Sequence, residues 1–170
     1  KAKEKKLTFH FHADREKIYI QMDAIKLESI LDNLLSNAVK YTPEEGEITL
    51  RLQASDKEVH ISVSDTGIGV PRQDQPYVFQ RFFQSPKTAG TKEGTGIGLY
   101  LVKTYTELHG GKVQLSSEEN KGTAITLTLP VIAMEQPVVE VSPEIVSSDI
   151  EPVAAGVTVV VPDTDTPVPD

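Results

Sequence analysis

The sequence predicts an α/β sandwich of two layers, with helices packed on one face of a mostly antiparallel sheet. Two observations over residues 7–130 favour this fold class. Apolar residues recur there with periods that alternate between two and 3.6 positions. The resulting order is strand, strand, helix, strand, strand, loop, helix, strand, strand. This order implies an antiparallel sheet that buries one face beneath two helices.

The first predicted elements are two short strands and a helix. Residues 7–11 alternate between apolar and polar side chains, and the mainly apolar triplet 18–20 follows. Asp23 is a suitable N-cap for a helix that extends to about Tyr41. The apolar face of this helix comprises Leu27, Ile30, Leu31, Leu34 and Ala38.

The second half of the domain repeats these patterns after a turn at residues 43–46. A loop rich in Gly, Pro and Gln separates two half-buried strands from a second amphipathic helix, which two consecutive glycines end. The predicted ranges are, in order, strands at 48–52 and 59–63, a loop at 66–94, a helix at 96–108, and strands at 113–115 and 124–129.

The charge distribution divides the chain at Pro130. The formal net charge is −8, yet all 17 Lys and Arg residues precede position 131. Residues 131–170 are acidic and proline-rich and show no helical stripe, as is typical of an extended linker. Residues 157–161 are an exception that could pair as a short strand. We therefore expect a linker at 1–6, a domain at 7–130 and an acidic linker or tail at 131–170.

Composition excludes several classes of function. A neutral domain with an acidic tail offers no basic surface for nucleic acid or for an anionic membrane. No apolar run is long enough to cross a bilayer, and the lack of cysteine excludes thiolate metal sites and a Cys nucleophile. The basic residues 1–6 precede no apolar stretch, so they are not a signal peptide. Because the sequence does not begin with Met, we expect it to be a piece of a longer chain.

The first helix carries a polar group of residues beside its apolar face. Asn33, Asn37 and Lys40 fall within roughly 60° of one another at helical spacing. Amide oxygens can coordinate a hard cation, and a lysine can contact phosphate. Taken alone, these residues are better interpreted as the solvated edge of an amphipathic helix.

The end of the fourth strand carries a carboxylate within the sequence Asp65-Thr66-Gly67-Ile68-Gly69-Val70. Asp65 continues the inward phase of the strand, where a carboxylate is costly without a donor. The exocyclic amine of adenine would be such a donor, and glycines let the backbone approach a ring. The alternative is a turn in which Asp65 caps local N–H groups. The inward phase favours the ligand.

A third motif, Gly94-Thr95-Gly96-Ile97-Gly98-Leu99, opens the second helix. Free N–H groups at a helix start bind phosphate, and glycines allow close approach. The motif is neither a dinucleotide-binding fingerprint nor a P-loop, because the required third glycine and the Gly-Lys-Ser/Thr sequence are missing. It is weak in isolation.

In combination these motifs resemble a known family. Residues 33–43, 65–70, 78–83 and 94–99 resemble, in this order, its asparagine, first glycine, phenylalanine and second glycine boxes. The family is the catalytic ATP-binding domain of sensor histidine kinases, within the superfamily of gyrase, Hsp90 and MutL that shares the Bergerat ATP-binding fold. The resemblance covers about residues 7–130.

The resemblance implies a binding role for particular residues. Asn37 with Asn33 would coordinate Mg²⁺ at the phosphates of ATP, Lys40 would contact phosphate and Tyr41 would cover the adenine. Arg81 would lie near the phosphates or the incoming phosphoacceptor domain, which makes Asn37, Lys40 and Arg81 the expected catalytic residues. The adenine end would comprise Asp65, Gly67 and Gly69, with Thr123 near a bridging water, and the phosphate loop would comprise Gly94, Thr95, Gly96, Gly98 and Leu99.

The resemblance also implies moving parts and partners. Residues 70–94 would form a lid over ATP, and Glu93 departs from the family by replacing a frequent glycine. The parent protein would be a homodimer through a His-containing dimerisation domain, act with a response-regulator receiver domain, and place this domain in the cytoplasm. The acidic tail fits either a following receiver domain or a simple solubilising spacer.

Asn33 bears on the type of reaction. The superfamily's ATPases place a glutamate at this position to activate water, and an amide cannot take that proton. The four histidines, His10, His12, His60 and His109, fit structural or surface roles rather than that of a phosphoacceptor. The sequence thus favours ATP binding for transfer to another protein. The alternatives are a self-sufficient ATPase and a degenerate binding module.

Overall fold

A computed structural model of the chain describes residues 5–20, 22–86, 94–131, 138–141 and 158–162. The elements are strands β1 (Thr8–Ala13) and β2 (Lys17–Tyr19), helix α1 (Ala24–Tyr41), strands β3 (Glu47–Ala54) and β4 (Glu58–Asp65), a 3₁₀ turn (Gln75–Tyr77), helix α2 (Gly98–Leu108), and strands β5 (Lys112–Glu118), β6 (Gly122–Pro130), β7 (Val138–Val141) and β8 (Thr158–Pro162). Neither helix of the described ranges is long and apolar enough to traverse a bilayer.

Five strands form the main sheet in the order β1-β3-β4-β6-β5. β1 pairs with β3 in parallel, whereas the other three pairings are antiparallel. The register places Asp65, the last residue of β4, opposite Thr123 at the start of β6. The predicted two-layer α/β fold is confirmed, and the sheet brings the polar ends of β4 and β6 together.

The two helices pack side by side on one face of this sheet. Alternate residues of β3, β4 and β6 point towards α1 and α2, and burial of each large apolar side chain contributes about 1.5–3 kcal/mol. The opposite face is polar, and there His60 Nδ1 lies 3.1 Å from Thr128 Oγ1. The buried core residues of the helices and of these three strands are Leu27, Ile30, Leu34, Leu35, Ala38, Val102, Ile48, Leu50, Leu52, Val59, Ile61, Val63, Ile125, Leu127 and Leu129.

Helix α1 has the N-cap that the sequence predicts. The Asp23 carboxylate accepts a hydrogen bond from the Lys26 backbone N–H at 3.1 Å and binds the Lys26 ammonium at 2.6 Å. The hydrogen bonds from Lys26 lower the pKa of Asp23 below its usual value. The cap fixes where the helix begins. It therefore also determines which side of the helix the residues three and four turns later occupy.

The C-terminal end of α1 is stabilised from outside the helix. The Lys5 ammonium donates to the carbonyl oxygens of Val39, Lys40 and Thr42, each at 3.0 Å. The buried Thr42 hydroxyl donates to the Ala38 carbonyl at 2.6 Å. These bonds satisfy carbonyl groups that a helix end otherwise leaves without partners, and the positive charge suits the helix dipole.

A small second sheet involves the acidic segment, in the order β2-β8-β7. β8 pairs with β2 in parallel and with β7 antiparallel. The strand expected near residues 157–161 is therefore present as β8, while β7 is a strand that the sequence pattern did not indicate. The boundary at Pro130 and the linker role of residues 131–170 stay predictions.

Candidate functional site

A cavity of about 1630 Å³ lies between α1, the end of β4 and the start of α2. It exceeds the range of about 300–1,000 Å³ that is common for small-ligand pockets, so a nucleotide with its triphosphate fits. Most residues of the predicted site line it, although they come from distant parts of the chain. These are Asn33, Asn37, Lys40, Tyr41, Asp65, Gly69, Gly94, Thr95, Gly96, Gly98, Leu99 and Thr123.

Asp65 forms one end of the cavity and is held by the backbone. Its Oδ1 accepts hydrogen bonds from the N–H of Gly67 at 2.8 Å and of Thr123 at 3.3 Å. No donor from the described residues reaches Oδ2. Burial raises the pKa of this carboxyl above its usual value, and the two backbone hydrogen bonds partly oppose that shift. The site therefore offers a fixed, partly desolvated acceptor.

Gly67 permits the close approach that holds Asp65. A Cβ atom at this position would lie 2.6 Å from Asp65 Oδ1 and 2.7 Å from the carbonyl oxygen of Tyr41. The N–H of Ile68 donates to the same Tyr41 carbonyl at 3.2 Å. The loop after β4 is thereby tied to the end of α1, which brings Tyr41 beside Asp65. Gly67 itself does not line the cavity.

The two asparagines of α1 lie further along the cavity. The Asn33 amide donates to the Ser29 carbonyl at 2.7 Å, which leaves its oxygen directed at the start of α2. A Cβ at Gly98 would lie 2.5 Å from that oxygen, so a larger residue there would displace the Asn33 amide. The Asn37 amide makes no hydrogen bond with the described residues. Both side chains have amide oxygens that can face a ligand.

Lys40 places a positive charge beside the loop that precedes α2. Its ammonium lies 4.8 Å from the centre of the Tyr41 ring, and a Cβ at Gly94 would lie 2.9 Å from Nζ. Such a group can meet an anion that contacts the N–H groups at the start of α2. The cavity thus has an acceptor at one end and amide and ammonium groups at the other.

The loop that leads from Asp65 to α2 is fixed at both ends as far as the structure describes it. The Phe82 N–H donates to the Gly96 carbonyl at 2.8 Å, and the Gln84 amide donates to the Gly94 carbonyl at 2.6 Å. Buried Asp74 accepts from the Ser85 hydroxyl at 2.5 Å. The centre of the predicted lid, residues 87–93 with Glu93, lies outside the described residues, so the lid stays a prediction.

Some predicted residues lie elsewhere, and other residues were missed. Arg81 is exposed, outside the cavity, with its guanidinium carbon 4.6 Å from the centre of the Phe82 ring. No histidine lines the cavity in the part of the chain that the structure describes. Glu119 and Asn120, at the turn between β5 and β6, do line it. No motif marked them, because they reach the site only through strand pairing.

The fold and this arrangement of side chains define a nucleotide-binding domain of the α/β class. The family described as histidine kinase-, DNA gyrase B-, and HSP90-like ATPase matches residues 22–133, which is more than half of the chain. The chain belongs to this family.

Two sequence relatives and two solved structures show where in the family it falls. The chain is 43% identical over 120 residues to the sensor histidine kinase WalK of Bacillus subtilis, covering 69% of this chain and 20% of WalK. It is 38% identical over 142 residues to the circadian input-output histidine kinase CikA of Thermosynechococcus vestitus, covering 83% of this chain and 19% of CikA. The chain therefore spans about a fifth of the length of these relatives.

The structural neighbours are histidine kinases as well. The nucleotide-free catalytic domain of histidine kinase ThkA superimposes with a TM-score of 0.67 at 27% identity, covering 76% of this chain and 83% of that domain. Full-length ShkA in complex with AMPPNP superimposes with a TM-score of 0.63 at 30% identity, covering 76% of this chain and 26% of ShkA. The fold is that of histidine kinase catalytic domains.

Proposed function

We propose that this domain binds ATP with Mg²⁺ and presents the γ-phosphate to a histidine on a separate dimerisation domain, as the catalytic part of a two-component sensor kinase. One observation carries the proposal. A single cavity holds the acceptor carboxylate of Asp65 at one end and the amides of Asn33 and Asn37 at the other. A base and a triphosphate need these two chemistries at the two ends of one site.

Base recognition falls to Asp65. Its carboxylate can only accept, so it suits the 6-amino group of adenine and opposes the 6-oxo group of guanine or hypoxanthine. Desolvation strengthens this selection, because a buried acceptor without a donor costs free energy. Tyr41, held beside Asp65 through its own carbonyl, supplies the ring that covers the base.

The chemistry of the donor set also fits a magnesium ion. Asn33 and Asn37 are one helical turn apart on α1, both line the cavity, and the oxygen of Asn33 lies beside Gly98, which also lines it. Amide oxygens are suitable ligands for a hard cation that also takes phosphate oxygens. Bound there, the ion would neutralise charge on the phosphates. Lys40 and the N–H groups at the start of α2 would orient the triphosphate.

Phosphoryl transfer is favoured over hydrolysis because Asn33 occupies the position at which the superfamily's ATPases place a glutamate, although the carboxylates of Glu28 and Asp32 also line the cavity. An amide cannot take a proton from water, and its nitrogen is already committed to Ser29. The nucleophile is then an imidazole nitrogen of the partner domain, which forms a bond to the γ-phosphorus while the bond to the bridging oxygen of ADP breaks. Arg81, exposed and outside the cavity, would contact that partner domain.

This function implies partner domains and a cellular compartment for the domain. The parent protein would dimerise through the His-containing domain and pass the phosphoryl group to a response-regulator receiver domain, with this domain in the cytoplasm. The proportions of the relatives support this assignment, because each is several times longer than the matched region.

A reconstitution experiment tests the proposal. The chain is mixed with a His-containing dimerisation domain from a related kinase and ATP labelled at the γ-phosphate. We expect acid-labile label on the dimerisation domain, much less of it with Asp65→Asn at subsaturating ATP, and little steady-state phosphate release. Phosphate release that persists without the second domain and is lost in Asn37→Ala would identify an ATPase. Failure to bind ATP at all would identify a degenerate binding module.

A further inference from the structure

We propose that Ser117 is a positioning residue for base recognition, because its hydroxyl holds the hydroxyl hydrogen of Thr123 and turns the lone pairs of Thr123 towards the cavity. The proposal rests on the function proposed above and deepens it. Ser117 lies near the end of β5 and is half-buried. It belongs to none of the motifs that the sequence analysis identified.

Three groups surround the Ser117 hydroxyl. It donates to the carbonyl oxygen of Gly122 at 2.9 Å and accepts from the N–H of Val70 at 2.8 Å. The Thr123 hydroxyl lies 3.0 Å away. A serine hydroxyl has one hydrogen and two lone pairs. Since the hydrogen goes to Gly122 and one lone pair to Val70, only a lone pair remains, and Thr123 must be the donor.

The hydrogen-bonding character of Thr123 follows from this arrangement. Its only hydroxyl hydrogen points at Ser117, so the lone pairs are what remain for the cavity that Thr123 lines. Asp65, paired with Thr123 across β4 and β6 and bonded to its N–H, is also an acceptor. Two neighbouring acceptors suit an amino group, which has two N–H bonds, and repel a carbonyl oxygen.

Ser117 can impose this direction because its own position is fixed. The Gln75 side-chain amide donates to the carbonyl oxygens of both Ser117 and Val70, each at 3.0 Å. Val70 is thus bound to Ser117 directly and through Gln75. These bonds tie the loop after Gly69 to strand β5. The hydroxyl cannot rotate towards another partner without giving up a bond.

A merely structural serine would behave differently. Its loss would weaken binding of every nucleotide by one factor or lower the thermal stability. A positioning role changes the ratio of affinities for two bases, because the Thr123 hydroxyl, once released, can donate to a 6-oxo group. The informative quantity is therefore the affinity for ATP divided by the affinity for inosine triphosphate, which carries the 6-oxo group.

The experiment measures both dissociation constants by calorimetry in Mg²⁺ with the 170-residue chain. We expect Ser117→Ala to reduce the ratio about five- to tenfold, corresponding to one hydrogen bond. Ser116→Ala is the matched control, because Ser116 is the preceding residue on β5 and is exposed on the opposite face. Its ratio should equal that of the wild type. Ser117→Thr keeps the hydroxyl and should therefore retain most of the wild-type ratio.

A double-mutant cycle tests the route through Thr123. Thr123→Val alone should reduce the ratio about as much as Ser117→Ala, and the double variant should reduce it no further. The proposal is overturned if Ser117→Ala leaves the ratio unchanged. It is also overturned if Ser117→Ala reduces the ratio as much in the Thr123→Val background as it does alone. If Ser117→Ala does not fold, a normal ratio in Thr123→Val overturns it. A wild-type chain that binds neither nucleotide contradicts the proposed function instead.

Discussion

The two ends of the cavity are built in different ways. At the base end, Asp65 is held by two backbone N–H groups, that of Gly67 in the loop after β4 and that of Thr123 on β6, and Ser117 and Gln75 fix the surrounding backbone. At the phosphate end, the Lys40 ammonium lies against the Tyr41 ring. The Asn37 side chain makes no hydrogen bond to the described residues. The first end is assembled before a ligand arrives, and the second has groups free to rearrange.

This difference corresponds to two kinds of selectivity. A base is distinguished from another by a few donors and acceptors, so the protein's groups must already point in one direction. A triphosphate with its cation is recognised mainly by charge, which acts over a longer distance and tolerates movement. Stiff elements therefore suit the base end, and side chains on a helix surface suit the phosphate end.

The largest expected effect comes from the phosphate end. Asn37→Ala should lower phosphoryl transfer to a dimerisation domain by about 100-fold or more, because a metal-binding amide is lost. Mg²⁺ should then no longer strengthen ATP binding in calorimetry. Gln114→Ala, which removes an exposed amide on β5, is the control and should transfer normally. Retained dependence on Mg²⁺ in Asn37→Ala would show that the ion binds elsewhere.

The second-largest effect is expected at the base end. Asp65→Asn should weaken ATP binding about 10- to 100-fold, because a hydrogen bond to a charged group is lost. The variant should fold with an unchanged or higher melting temperature, since burial disfavours the charge that it removes. Asp56→Asn changes an almost fully exposed carboxylate and should alter neither quantity. A destabilised Asp65→Asn protein would show that the carboxylate has a structural role.

The raised pKa of Asp65 also predicts a dependence on pH. ATP binding needs the ionised carboxylate, so affinity should fall as pH decreases through the pKa in the folded protein, which lies above the usual 3.8. Folding stability should change in the opposite direction. Below the pKa of Asp65 in the unfolded chain, the carboxyl is neutral in both states. As pH rises from there towards the higher pKa in the folded protein, the free energy of unfolding decreases, because the unfolded chain loses its proton first. Both trends should be weaker in Asp65→Asn, as titrations of affinity and melting temperature would reveal.

The smallest effect is expected at Lys40. Lys40→Met should weaken ATP binding about fivefold, as expected for a solvent-accessible charge, and less at high salt. Binding of adenosine, which has no phosphates, should not change. Lys103→Met removes a partly exposed lysine of α2 that does not line the cavity, and it serves as the control. A loss of adenosine affinity in Lys40→Met would contradict the division between the two ends.

The fold was predictable where local signals and the core agree. Helix α1 begins after Asp23 as expected, because the cap and the apolar stripe specify the same start. Helix α2 begins at Gly98 rather than Gly96, since Gly96 has a φ of 68° and its carbonyl accepts from Phe82. Strand β7 was missed because its pairing partner, β8, lies far along the chain and gives no local signal.

The site was predictable for a different reason and to a different extent. The motifs identified candidate ligand-binding residues, and most of these line one cavity. They did not identify the residues that support them. Ser117 and Gln75 act through contacts 5 to 47 positions apart, which only strand pairing and loop packing create. Their residue types are ordinary for a strand and a polar loop.

Lys5 precedes the first strand but takes part in the packing of the domain. By sequence it belongs to the connecting segment, yet its ammonium satisfies three carbonyls at the end of the helix that presents Lys40 and Tyr41. A fragment trimmed to start at Leu7 would let that last turn fray. The residues just before β1 therefore stabilise the helix end that borders the cavity.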